Sequence, residues 1–209
     1  MSRTFFSSDW HIGHASILNP EYTPRGTHLS AAMVKHRPDP AITIDDHDQW
    51  LVNLINDQVG ERDYLYFLGD LGLGNHWRVA YYVSQIKCGH KVLIPGNHDF
   101  DKMDFYRSSG LFETIVEARM EIKLNGKRIV MDHYPIAEWN NGHYQAWHLH
   151  GHCHGDFNYE RAGLADKRIL DVGLDNSIKV LGHYGAFEFE DVAKYMEGRV
   201  SIEHHGKAD

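Results

Sequence analysis

At 209 residues, with 42% hydrophobic and 24% charged side chains, the chain suits one globular domain with a full core and would be cramped as two. Its formal charge of −8 argues against a sequence-blind nucleic-acid binder working through a broad basic face. Seventeen histidines are a large excess and point to metal, protons or both; two divalent cations would carry the charge from −8 to −4.

In chain order, residues 3 to 8 form a short apolar strand candidate leading into Asp9-Trp10-His11. From Asn19 to about Ile44 the chain is rich in proline, glycine and histidine, and Pro20, Pro24, Gly26, Pro38 and Pro40 interrupt any long regular element. A stretch of this length beside a compact domain reads as a cap-like insert. The spacing of Trp50, Leu51, Leu54, Ile55 and Val59 predicts a helix from about Asp46, capped by Asp45 or Asp46. A strand at Tyr64 to Leu68 ends at Gly69-Asp70. A second helix is expected over about Asn75 to Lys87, its apolar stripe being Trp77, Ala80, Tyr81 and Val83. The strand Lys91 to Ile94 runs into Gly96-Asn97-His98-Asp99. This alternation is the pattern of a largely parallel, buried sheet.

Further on, Asn125-Gly126 between two apolar runs predicts a tight hairpin, and so a second sheet with antiparallel pairing. Strands are expected at Trp147 to Leu149 and Arg168 to Val172, with a strand end and closing helix over Phe187 to Met196. Glu203-His204-His205-Gly206 reads as a frayed tail with no metal role. Cys88 and Cys153 do not make a disulfide framework. Cys153 lies between two candidate ligands, and alternation along an extended backbone turns it away from them. No stretch approaches roughly 18 apolar residues, so no membrane span and a cytoplasmic location are expected.

Five segments carry the chemistry: Asp9-x-His11, Gly69-Asp70, Gly96-Asn97-His98-Asp99, His133 and Gly151-His152-Cys153-His154. Residues two apart on an extended segment point to one side, so Asp9 with His11, and His152 with His154, could each grip one ion. A lone pair of this kind is common by chance. What matters is that all five segments follow apolar strand candidates, whose carboxyl ends gather into one crevice in a parallel sheet. Carboxylate, imidazole and amide donors suit manganese, with iron, zinc or nickel as further candidates, and do not resemble a thiolate-rich structural zinc site. Seven donors (Asp9, His11, Asp70, Asn97, His133, His152 and His154) exceed one tetrahedral ion. Two ions sharing a carboxylate, most naturally Asp70, are the economical solution, and solvent bridging them would be a nucleophile. His98 follows Asn97 on one turn, so both cannot easily address the same ion. It is therefore expected to be a catalytic acid that Asp99 orients, the other reading being one more ligand.

Taken together, these segments resemble the five blocks of the calcineurin-like metallophosphoesterase superfamily, in order, over residues 9 to 154. The opening Phe5-Phe6-Ser7-Ser8-Asp9-Trp10-His11-Ile12-Gly13-His14 is similar to its small bacterial and phage branch. The resemblance implies an α/β (α+β) fold, a four-layer αββα sandwich of two mixed sheets. It implies one ion on Asp9, His11, Asp70 and His154, a second on Asp70, Asn97, His133 and His152, and His98 as the catalytic histidine. The expected activity is two-metal phosphoester hydrolysis of a small-molecule or nucleotide substrate, a diester slightly favoured. Phosphomonoesterase, nuclease and non-catalytic scaffold are the alternatives. His14 and Arg37 are candidate substrate contacts. Arg25, His28, Lys35 and His36 of the insert either reach a phosphate as well or form a solvated loop.

Overall fold

In the computed structural model, residues 2–21, 23, 25–33 and 42–203 are described, with the side chains of 30–33 excepted. The strands are β1 (Thr4–Ser7), β2 (Tyr64–Phe67), β3 (His90–Leu93), β4 (Thr114–Ile115), β5 (Arg119–Leu124), β6 (Lys127–Asp132), β7 (Trp147–His150), β8 (Ile169–Asp171) and β9 (Phe187–Glu188). The helices are α1 (Arg25–Met33), α2 (Ile44–Gln58), α3 (His76–Ser84), α4 (Met103–Ser109), α5 (Leu174–Leu181) and α6 (Phe189–Met196).

The strands form two mixed sheets, ordered β4-β3-β2-β1-β9 and β5-β6-β7-β8. In the first, β1 to β4 are parallel and β9 pairs antiparallel with β1. In the second, only β5–β6 is antiparallel. The predicted hairpin turn lies at Asn125 (φ 46°) and Gly126 (φ 78°), both in the left-handed region that a tight two-residue turn requires.

Each sheet face is covered by apolar side chains that alternation assigns to it. Phe5, Leu65, Phe67 and Leu93 meet Leu51 and Ile55 of α2, Val79 and Val83 of α3, and Met103 and Tyr106 of α4. Phe6, Tyr66, Leu68, Val92 and Ile94 point the other way, against Ile129, Met131, Trp147, Leu149 and Leu170 of the second sheet. There α6 adds Phe189, Val192 and Met196. The remaining face, with Val130 and Ile169, is covered by Trp139, Leu164 and Ile202 from connecting segments. The result is the expected sandwich of two mixed sheets flanked by helices. Among the described residues no helix is long and apolar enough to cross a membrane.

Several local expectations are corrected. Thr43, not Asp45 or Asp46, caps α2: its hydroxyl accepts from the Asp46 N–H while the Asp46 carboxylate accepts from the Thr43 N–H. Such a reciprocal box satisfies two otherwise orphaned donors. The buried stripe of α3 is Val79, Tyr82 and Val83, whereas Trp77 and Tyr81 are 65% and 62% exposed. Two apolar stripes compete on this helix, and the one with a β-branched pair faces the sheet. The insert contains α1, and at Gly26 in its first turn a side chain would strike the Leu18 carbonyl. Arg37, Lys35 and His36 lie outside the described residues, as do His204, His205 and Gly206.

Candidate metal centre

Strand register brings the five segments level. Ser7 stands beside Phe67 and Phe67 beside Leu93, so the chain leaves β1, β2 and β3 at one height. Beyond the strand ends the backbone pairing continues, with Asp9 N–H to Gly69 O at 3.0 Å and His11 N–H to Asp70 O at 3.1 Å. In the second sheet the pairing continues with Gly151 N–H to His133 O (3.0 Å), and Leu174 N–H to Ser8 O (3.1 Å) joins that sheet to the first. The carboxyl ends of β1, β2, β3, β6, β7 and β8 thus open on a common crevice, where loops can present ligands.

Two clusters occupy it. Asp9, His11 and His154 each offer a donor atom within 4.8 Å of the others, and so do Asp70, His133 and His152. The Nε2 atoms of His11 and His154 face each other at 3.1 Å. Asn97 belongs to the second cluster, its Oδ1 lying 3.1 Å from His133 Nε2. Asp70 stands between the two, with Oδ2 4.0 Å from His11 Nε2 and Oδ1 3.5 Å from His133 Nε2. All seven expected donors therefore gather in one place.

Five of these seven sit at positive φ: Asp9 (59°), His11 (53°), Asp70 (55°), His152 (70°) and His154 (50°). Non-glycine residues in this region cost of order 1–3 kcal/mol each and persist only where the surroundings over-determine them. The surroundings here are carboxylates that accept backbone N–H groups. Asp9 accepts from His152 N–H (3.0 Å) and Asp70 from His98 N–H (2.9 Å). Asp171 accepts from Gly155 (2.8 Å) and Gly173 (2.7 Å). Asp48, in α2, accepts from Gly13 (3.0 Å).

Asp99 belongs to this set, which corrects the expectation that it orients the His98 ring. Fully buried, its carboxylate accepts from Asp70 N–H (2.7 Å), Gly96 N–H (2.9 Å) and Leu71 N–H (3.2 Å). It shapes the turn that carries Asp70. His98 is 38% exposed at the rim, with Nε2 3.8 Å from Asp70 Oδ2.

Charge is concentrated beneath the crevice. Burial, with Asp171 nearby, pushes Asp9 up to about 7, and burial pushes Asp99 up to about 6. Burial also works against Asp70, but the His133 hydrogen bond and charge outweigh it and hold Asp70 at about 2. Buried carboxylates converge on two points with imidazoles, His11 and His133 buried and His152 exposed, and His11 Nδ1 is left unpartnered inside, a set that suits divalent cations.

Beside the first cluster lies a cavity of about 470 Å³, lined by His14, Ser16, Ile17, Thr23, Cys153 and Asp156 with His11 and His154. His14 is thus at the site, its ring 5.6 Å from that of His11. Two other insert residues are not placed as phosphate arms. His28 packs on Tyr184 at 4.7 Å. Arg25 is fully buried against Asp175. Asp171, Asp175 and Asp48 were missed in the sequence; the run Asp171-Val172-Gly173-Leu174-Asp175, closing an apolar strand, was the available signal.

No family model matches the chain. It is 27% identical to the gene 66 protein of Mycobacterium phage D29, over 84% of this chain and 89% of that one. An uncharacterized protein of Methanocaldococcus jannaschii is 24% identical, over 94% and 93%. Among solved structures, a protein of unknown function from Aquifex aeolicus superposes with a TM-score of 0.64 at 20% identity, covering 93% of this chain and all of that one (100%). That likeness is one of fold. The phosphoesterase Yfce from E. coli overlaps at a TM-score of 0.39 and 16% identity, covering 82% and 78%, a level too low to argue from.

Proposed function

We propose that this chain is a two-cation phosphoester hydrolase acting on a small phosphodiester or nucleotide. The observation that carries the reading is Asp70, one carboxylate facing His11 through Oδ2 at 4.0 Å and His133 through Oδ1 at 3.5 Å. The donors fit a pair of ions, manganese first among them: Asp9, His11, Asp70 and His154 would hold one, and Asp70, Asn97, His133 and His152 the other. When bound, such a pair would supply positive charge for the phosphoryl oxygens and acidify water at the site.

The chain's own groups do the rest. Asp9 and Asp70, each fixed by a backbone N–H donor, keep the two donor clusters at a constant separation, so little reorganisation accompanies reaction. His98, at the rim with its backbone N–H anchored on Asp70, would give a proton to the departing oxygen. The cavity bounded by His14 and Ser16 takes the organic group that leaves.

The test is hydrolysis by Mn²⁺-loaded protein of a nitrophenyl diester, a nitrophenyl monoester, cyclic nucleotides and short RNA. Diester or cyclic-nucleotide turnover that chelation abolishes supports the reading. A monoester preference would replace it with a phosphatase, and an RNA preference with a nuclease. Protein that holds two ions yet cleaves none of these would overturn it.

A further inference from the structure

We infer that Arg25 and Asp175 are positioning residues for the cluster of Asp9, His11 and His154, so that the insert supports one cation position and not the other. This rests on the two-cation reading.

Arg25 opens α1 and is fully buried. Its Nε and Nη2 form a fork on Asp175, at 2.7 Å to Oδ1 and 2.9 Å to Oδ2. The donors left over bind the turn that carries Asp9 and His11: Nη1 to Trp10 O at 3.0 Å and Nη2 to Asp9 O at 2.5 Å. Asp175, in the first turn of α5, is 2.6 Å from His154 Nδ1. With Nδ1 so engaged, Nε2 is the nitrogen His154 presents, 3.1 Å from Nε2 of His11. One guanidinium therefore acts on both walls of the cluster: on the strained Asp9–His11 turn through two carbonyls, and on the His154 ring through a carboxylate.

The second cluster is supported differently. His133 Nδ1 bonds the Leu68 carbonyl at 2.7 Å, and Asp70 is set by Asp99 and the His98 N–H. None of these groups belongs to the insert. A buried ion pair is a poor source of net stability, because desolvating both charges offsets their attraction. It is a good way to fix geometry: a planar fork on a carboxylate admits one orientation, and groups behind a ligand imidazole set its tautomer and direction. Gly26 strengthens the assignment, since a side chain there would strike the Leu18 carbonyl, so the first turn of α1 packs closely on that segment beside Arg25.

The experiment is titration of chelator-stripped protein with Mn²⁺ alone, by calorimetry, and with Co²⁺, by its visible absorption. Wild-type protein should take up two ions. Arg25→Met and Asp175→Asn should weaken one of the two by about 10- to 100-fold, the size typical of groups behind a ligand, and leave the other unchanged. Arg25→Lys should recover only part, because an ammonium cannot form the fork. Phe187→Leu, which loosens the core between the sheets, should lower the melting temperature without separating the two affinities. Should Arg25→Met fail to fold, Asp175→Asn decides. Two wild-type affinities in Asp175→Asn, or an equal loss of both, would overturn this inference alone. Wild-type protein that binds neither ion would sink the two-cation reading with it.

Discussion

His148 offers a test of how the second sheet holds the segment after His133, at a distance from the candidate ligands. It is fully buried on β7, with Nδ1 donating to Val130 O (3.1 Å) and Nε2 accepting from Ile136 N–H (3.2 Å). These partners fit a neutral ring, and burial, with His150 beside it, lowers its pKa from 6.5 to about 3. His148→Leu removes both bonds and leaves a buried carbonyl and a buried N–H unpaired, a cost of about 3 kcal/mol at about pH 8. The sign with pH then follows. Below 6.5 the unfolded chain binds a proton that the folded ring refuses, so wild-type stability falls as pH falls and keeps falling until the folded pKa near 3. At about pH 5 that penalty is roughly 1.5 units times 1.36, or about 2 kcal/mol, and the leucine variant does not pay it. The gap between the two proteins should therefore shrink from about 3 to about 1 kcal/mol, a narrowing of roughly 4–8 °C in melting temperature for a chain of this size. Urea unfolding of chelator-treated protein across that range measures it. A gap that stays constant with pH would refute the argument, since it would mean the ring titrates alike folded and unfolded.

Other expectations follow from the site and the packing. His98→Ala should bind two Mn²⁺ ions and lose most turnover, whereas His152→Ala should lose an ion; metal content and kcat measured on the same samples separate them, and equal metal content in both would contradict the roles. In Gly96→Ala the new methyl would stand 2.6 Å from Asp70 N and 2.8 Å from His133 Cε1, with Asp70 Oδ1 closer still. A displacement near 1 Å should cut turnover about 100-fold while overpacking costs about 1–3 kcal/mol; unchanged kinetics would show that the turn yields freely. On α3, Val79→Ala should cost about 2 kcal/mol and Tyr81→Ala under about 0.5, because only the first is buried; chemical denaturation that reversed this order would place the wrong face inward. His14→Ala should raise KM for diesters more than it lowers kcat, and an effect confined to kcat would remove His14 from the cavity wall.

The local alternation of apolar runs was enough to read β1, β2, β3 and the hairpin, since each strand end is marked by its own neighbours. The candidate donors were legible for the same reason: they follow those runs directly. What escaped was long-range. Arg25 sits among prolines and glycines and looked like a loop charge, because its partner Asp175 is 150 residues away and no local pattern joins them. Adjacency suggests Asp99 as a companion of His98, yet successive residues on a tight turn point apart, and its oxygens meet the backbone of 70, 71 and 96. Thr43 is legible in principle, as a threonine three residues before an acidic one, but the two aspartates after it are equally good caps by residue type. On α3 the choice of buried stripe depends on which sheet face it meets, which periodicity leaves open.

The acidic residues explain why the site holds together before any ion binds. Asp9 is both a candidate ligand and an acceptor for the backbone of the His152 turn; Asp70 does the same for the His98 turn; Asp99 does it for Asp70. Of the left-handed ligand residues, His152 and Asp70 are thus held by a carboxylate from another segment, while Asp9 and His11 are held through the Gly69 and Asp70 carbonyls. The strain of five such residues would be unaffordable in isolated loops, at about 1–3 kcal/mol each. Charge-assisted hydrogen bonds, worth about 1.5–3 kcal/mol, are of the size needed to offset it at His152 and Asp70. The same arrangement makes the ligands collectively sensitive: moving any one turn releases a carboxylate that another turn requires. Geometry shared in this way between both sheets keeps seven donors from five distant segments aligned on two points, and it ties the chemistry of the crevice to the register of the strands beneath it.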